Sequence, residues 1–183
     1  MITVLVLFAM LSQVAAQAPS KPVIDNERVS VWDVTTAVPA QPMDAVVVSL
    51  SGNAVWTPKG TPPKIDGPSI IIDLKDHPVA PIANPTKYPL AFPRPGAKKL
   101  LENDRVIVWE STWKPGVPSP MHFHDKDVVV VFVRDGDLTS TTPDGRTTLN
   151  KYTSGTVRFN ARNRTHYETA VSGNPSAIIT ELK

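Results

Sequence analysis

His122 and His124 stand one residue apart in the stretch Gly116 to Gly136, GVPSPMHFHDKDVVVVFVRDG. On an extended strand that spacing puts both imidazoles on the same face. A strongly β-prone run, Val128 to Val133, follows at once and ends in Arg-Asp-Gly-Asp. Imidazole is the commonest side-chain ligand for borderline divalent metals. Two histidines on one strand face are therefore how a metal site begins. His77, at the start of a proline-rich segment, reads as a surface linker histidine. The chain has no cysteine, which excludes thiolate ligands and a Cys nucleophile. Its Ser and Thr residues carry no motif that marks a nucleophile.

The elements that must hold these histidines are strands. Helical periodicity is scarce, and short β-branched runs alternate with Pro and Gly, the pattern of a sandwich or barrel. Residues 101–183 divide into about eight strands: 104–112, 118–124, 127–133, 136–142, 145–152, 155–160, 164–170 and 176–183. Turn residues separate several of them, notably Pro115-Gly116, Asp135-Gly136, Pro143-Asp144-Gly145 and Ser172-Gly173-Asn174-Pro175. Eight short antiparallel strands suit a jelly roll.

The chain also matches itself. Asn26–Asp33 (NERVSVWD) answers Asn103–Glu110 (NDRVIVWE), and Pro42-Met43 answers Pro120-Met121. Asp44–Val48 answers Asp127–Val131, and Gly67–Lys75 answers Asn174–Lys183. The matches run in one order, which argues for an internal duplication. Residues 76–100 lie between the copies with prolines at 78, 81, 85, 89, 93 and 95. Proline at that density suppresses helix and ladder strand. An extended connector is expected, lying on the protein surface because it carries Tyr88 and Phe92.

At these residues the sequence resembles the cupin superfamily. The first cupin motif runs Gly, five residues, His-x-His, three or four residues, Glu, six residues, Gly. Gly116, His122, His124 and Gly136 fall in its register, with Val129 in the glutamate's place. The second motif runs Gly, five residues, Pro-x-Gly, two residues, His. Gly155 and His166 fit it, with Ala161 and Asn163 replacing the Pro and Gly. In the first copy Gly52, Pro58 and Gly60 keep the second motif, with Pro63 where its histidine would be, and the His-x-His segment is missing. The resemblance implies an all-β cupin jelly-roll barrel, duplicated as a bicupin. Residues 19–75 would be a shortened, metal-free half and residues 101–183 the half with the metal site.

The resemblance implies His122, His124 and His166 as ligands of a divalent metal: Fe, Zn, Mn, Ni or Cu. Without the glutamate, either three histidines form an open face or another carboxylate moves in. Asp127 has the strand parity for it but reads first as a hydrogen-bonding or loop-capping aspartate. Glu168, two residues after His166, could orient an imidazole. Arg162 and Arg164 alternate with the His166 face and could meet an anionic substrate, or they are solvated loop charges. Trp109 and Trp113 have the parity of core residues. The function implied is an exported metal-binding cupin, with dioxygenase-type oxidation of a small molecule as its enzymatic form. The alternatives are a non-catalytic module for a small ligand or metal, and a structural cupin with a vestigial site. Cupins commonly dimerise, so a homodimer is implied.

Composition bounds the remaining possibilities. The 183 residues suffice for one compact domain or two small halves sharing a core. The 19 basic and 17 acidic residues nearly balance, and no basic run or Gly-rich phosphate loop is present, so nucleic acid is not an expected partner. The apolar run Ile2 to Leu11, followed by small residues, reads as a signal peptide over residues 1–18. No Lys or Arg precedes it, and an uncleaved anchor is the alternative reading. Cleavage would leave a secreted or periplasmic protein without a membrane segment. Asn163-Arg164-Thr165 matches the glycosylation pattern but lies within the candidate site, where it reads as a chance match.

Overall fold

The computed structural model describes residues 21–183, so the expected signal peptide lies outside the described residues. Every regular element among the described residues is a β-strand. The first half supplies β1 (Ile24–Asp25), β2 (Val29–Val34), β3 (Ala45–Ser49), β4 (Asn53–Thr57) and β5 (Ser69–Leu74). They form an antiparallel sheet in the order β1-β2-β5-β3-β4. The second half supplies β6 (Ala97–Glu102), β7 (Val106–Thr112), β8 (His122–His124), β9 (Val128–Thr141), β10 (Thr147–Tyr152), β11 (Val157–Asn160) and β12 (Arg164–Leu182). Their sheet runs β10-β9-β12-β7-β6, with β11 on β9 and β8 on β12.

The valine- and isoleucine-rich runs form strands because branched side chains fit the pleat and can be buried on both faces. Val29, Val31, Val46, Val48, Ile70 and Ile72 on one side meet Val106, Val108, Val129, Val131 and Ile178 on the other in a single core. The two halves are thus packed face to face. A second core lies on the other face of the seven-stranded sheet, built from Phe92, Trp109, Trp113, Val128, Val130 and Phe132. The candidate site opens beside this second core.

Three expectations change. The all-β jelly-roll character holds, but the strands make two open sheets and not a closed barrel. The pairs 127–133 with 136–142 and 164–170 with 176–183 are not separate strands: each pair is one long strand, β9 and β12. These two strands pair along most of their length, with register shifts between Ala170 and Ser172 and between Gly173 and Ser176. The turn residues act as bulges that bend the strands. At Gly136 a Cβ would meet the Pro175 ring at 2.5 Å, so only glycine lets the strands approach there. The connector is also shorter than 76–100, because β6 begins at Ala97.

The connector is tied to the second half. The N–H of Ala91 donates to the Phe123 carbonyl and the N–H of Phe123 to the Pro89 carbonyl, each at 2.8 Å. These bonds hold residues 89–91 beside β8 and bring Arg94 to the histidines.

Matching contacts occur in the two halves. Val29 pairs with Leu74, and Val106 with Leu182. The Asn26 side chain accepts the N–H groups of Arg28 and Val29, as Asn103 accepts those of Arg105 and Val106. Trp32 donates to Asp73 and Trp109 to Glu181, both at 2.8 Å. The halves also exchange arginines. Arg28 reaches Asp127 and the Lys183 carbonyl, while Arg105 reaches Asp44 and the Lys75 carbonyl.

Candidate metal centre

His122 and His166 are cross-strand partners in the β8–β12 ladder, and His124 is paired with Arg164. Residues directly opposite share a face, and so do residues two apart. His122, His124, Arg164, His166 and Glu168 therefore project from the same side. The three imidazole centroids lie 4.9, 5.0 and 5.1 Å apart, nearly an equilateral triangle. One nitrogen from each ring lies within 4.8 Å of the others, and all three residues are buried.

Burial pushes the His122 imidazolium down to about 3, with the Arg94 charge adding to the effect. Burial, then Arg164, holds His124 well below the usual histidine value, and burial lowers His166. All three rings are neutral at ordinary pH, the form that offers a lone pair. The Nδ1 of His122 lies 2.8 Å from the Pro120 carbonyl. A carbonyl only accepts, so the ring proton sits on Nδ1 and the lone pair on Nε2.

These residues fit a divalent ion. The Nε2 atoms of His124 and His166 are 3.4 Å apart. Two imidazoles on a tetrahedral ion, each about 2.0–2.1 Å from it, stand roughly 3.3 Å apart. Nδ1 of His124 is buried without a partner among the described residues, an uncommon condition for a polar atom in a core.

Arg94 was not singled out in the sequence and is central here. Its Nη1 lies 2.7 Å from Nε2 and 3.3 Å from Nδ1 of His122, and its Nη2 donates to Glu168 at 3.3 Å. Its guanidinium lies 4.9 Å from the Phe92 ring centroid and 5.9 Å from that of Trp113. Glu168 also accepts from the Trp113 indole at 3.0 Å, and its other oxygen is 3.8 Å from Nε2 of His166. Burial pushes Glu168 up, but the Arg94 charge, helped by the Trp113 hydrogen bond, outweighs it and holds the carboxyl below its usual range. Glu168 thus belongs to the site, pinning Arg94. The trace of Arg94 in the sequence is weak: an arginine between two prolines, near an aromatic, in a connector expected to lie on the surface.

Asp127 keeps its hydrogen-bonding reading: it accepts from Arg28 at 2.5 Å and from the N–H of Arg162 at 2.8 Å, away from the histidines. One expectation is corrected: Val129 is not the pocket-facing position. It pairs with Phe159 and is buried in the core between the sheets, whereas its neighbour Val128 pairs with Asn160 and lines the pocket. The motif's three-residue spacing, not the four-residue one, puts Val128 in the glutamate's place. A valine remains there in either register.

Arg164 lines the same pocket, while Arg162 turns away to the Ala80 carbonyl. Trp109 is core, stacked on Phe92 at 5.0 Å, and Trp113 is core that also walls the site. Asp125 pairs with Lys126. His77 is exposed near Glu27, outside the site. Asn163, in place of the second motif's glycine, has φ +66°, a conformation asparagine tolerates better than most residues.

Both motifs, some forty residues apart, meet here on two adjoining antiparallel strands. The solved structures that this chain is similar to include cupin domain proteins. No family model matches it, and no curated protein matches it. Among solved structures it is similar to a cupin domain from Bordetella pertussis Tohama I at 29% identity, covering 51% of this chain and 99% of that one, with a TM-score of 0.45. It is also similar to a cupin 2 conserved barrel domain protein from Leptotrichia buccalis at 13% identity, covering 94% and 92%, with a TM-score of 0.48. A cupin-2 domain protein from Shewanella frigidimarina is 15% identical, with coverage of 50% and 83% and a TM-score of 0.38.

Proposed function

We propose that this protein is an exported cupin that binds a divalent metal through His122, His124 and His166, and that it oxidises a small organic molecule there. The observation that carries this reading is the convergence of three buried, neutral imidazoles with their ligand atoms within 4.8 Å. A bound metal would supply Lewis acidity and coordination positions left open for substrate and dioxygen. The chain's own residues set the rest. Val128, Val130 and Phe132 exclude water from one side, and Glu168 and Trp113 fix the polar side. The leader-like sequence before residue 19 supports export, with the mature chain secreted or periplasmic. We also read the two halves as copies of one unit, the first shortened; the shared hydrogen bonds of Asn26 and Asn103 and of Trp32 and Trp109 support this.

Elemental analysis of the purified mature protein tests the metal reading. About one equivalent of Fe, Zn, Mn, Ni or Cu is expected, and the double variant His122→Ala/His166→Ala should lose it. Equal, near-zero metal in both sinks the reading. Oxygen uptake with small phenols, thiols and keto acids then separates an oxidase-type enzyme from a binding module. A relic site without metal is the second reading, and the Arg94–His122 contact favours it, because it sets a fixed positive charge against one imidazole.

A further inference from the structure

Nη1 of Arg94 lies 2.7 Å from Nε2 and 3.3 Å from Nδ1 of His122, against a ring that would hold a metal. Nδ1 of that ring is committed to the Pro120 carbonyl, and the other guanidinium nitrogen is tied to Glu168. A metal held by the three imidazoles would therefore stand beside a fixed positive charge. Arg164 stands on the same face of β12, and its Nε donates to the Ala161 carbonyl at 2.7 Å. Its Nη1 and Nη2 have no acceptor among the described residues. These two arginines and Arg158 line one pocket with a single carboxylate, Glu168. Charge is already in excess by two guanidinium groups there, and a divalent ion adds two more units in a partly dry site. Such an excess is costly without a counter-charge.

We propose that the pocket takes a small organic carboxylate together with the metal, received by Arg94 and Arg164. The proposal rests on the metal reading above and names the class of its substrate or co-ligand. A planar carboxylate matches the guanidinium fork, and a charge-assisted pair of this kind is the strong form of hydrogen bond. Val128, Val130 and Ile179 offer an apolar wall for a short carbon body. The cavity measures about 40 Å³, room for about three waters. That suits an acid of a few carbons. Because anion and metal each offset the other's charge, their affinities are coupled, and the coupling is reciprocal.

The test is calorimetric titration of chelator-stripped protein with Zn²⁺, alone, in excess propionate and in excess propionamide, its neutral isostere. Propionate should tighten Zn²⁺ binding about tenfold, and propionamide should leave it unchanged. In Arg94→Gln, Zn²⁺ should bind at least as tightly as in the wild type without any anion, and the effect of propionate should fall below about twofold. Arg164→Gln, which leaves His122 and Arg94 in place, should keep Zn²⁺ binding and lose most of the coupling. Equal effects of propionate and propionamide overturn the proposal, and so does coupling that survives in both variants. Zn²⁺ binding without coupling sinks this inference alone. No Zn²⁺ binding under any condition sinks the metal reading and this inference with it.

Discussion

Glu181 is a buried carboxylate with one good donor, the Trp109 indole at 2.8 Å. Lys126 is further off at 3.9 Å, and Asp125 and Glu102 add negative charge nearby. Burial raises its pKa above the usual 4.5, against the smaller opposing effects of Trp109 and Lys126. Between 4.5 and that raised value the folded chain holds a proton that the unfolded chain has released. Stability from this group is therefore present below pH 4.5 and lost as pH rises through the folded value. Glu181→Gln keeps the acceptor and removes the charge, so its melting temperature should gain on the wild type's as pH rises. A difference that is constant across the acid range would refute this. Val128 and Val129 give a second residue-level prediction. Val128→Glu should tighten Zn²⁺ binding about tenfold. Val129→Glu puts a charge between the sheets and should cost about 3–5 kcal/mol, read from urea melts. The reverse pattern would restore the four-residue spacing. The histidines were readable because both motifs fix them by spacing. Facing direction was not, because two adjacent valines look alike and only the pairing with Phe159 or Asn160 tells them apart.

At the scale of elements, the connector shows why a contact between distant segments leaves little trace in composition. Its prolines announced an extended segment, and Phe92 suggested that it lies on the surface. Its partner was hidden, because residues 89–91 attach to β8 through backbone groups that every residue carries. Phe92 then decides where Arg94 points, stacking on Trp109 on one side and under the guanidinium on the other. Phe92→Ala should cost about 3 kcal/mol in a urea melt and release Arg94 from its platform. If the loss is only a few tenths, the connector is held by its backbone bonds alone. The bent strands were hidden for a related reason. Asp135-Gly136 reads as a turn, but close pairing with Ser172–Pro175 turns it into a bulge within β9.

At the scale of the molecule, what joins the halves is a shared apolar core and an exchange of arginines. The repeated NERV and NDRV segments made equivalent positions readable, but not that each arginine would cross to the other half. The two crossings are unequal. Arg28 and Asp127 are nearly buried and 2.5 Å apart, whereas Arg105 and Asp44 are about a third exposed at 3.5 Å. Removing one member of a buried pair strands its partner's charge, at a cost of about 3–5 kcal/mol. A half-exposed pair at longer range contributes about 0–1 kcal/mol. Arg28→Ala should therefore destabilise the protein several-fold more than Arg105→Ala. Asp127 sits one residue before β9, and its other oxygen holds the N–H of Arg162. The loss should therefore also loosen the segment leading into β12 and weaken Zn²⁺ binding. Because Val29, Val46 and Ile70 share a core with Val106, Val129 and Ile178, both sheets should melt in one transition. Tryptophan fluorescence reports on both, through Trp32 in the first sheet and Trp109 in the second. Two resolved transitions in Arg28→Ala would mean that this one ion pair, and not the apolar core, makes the halves cooperative.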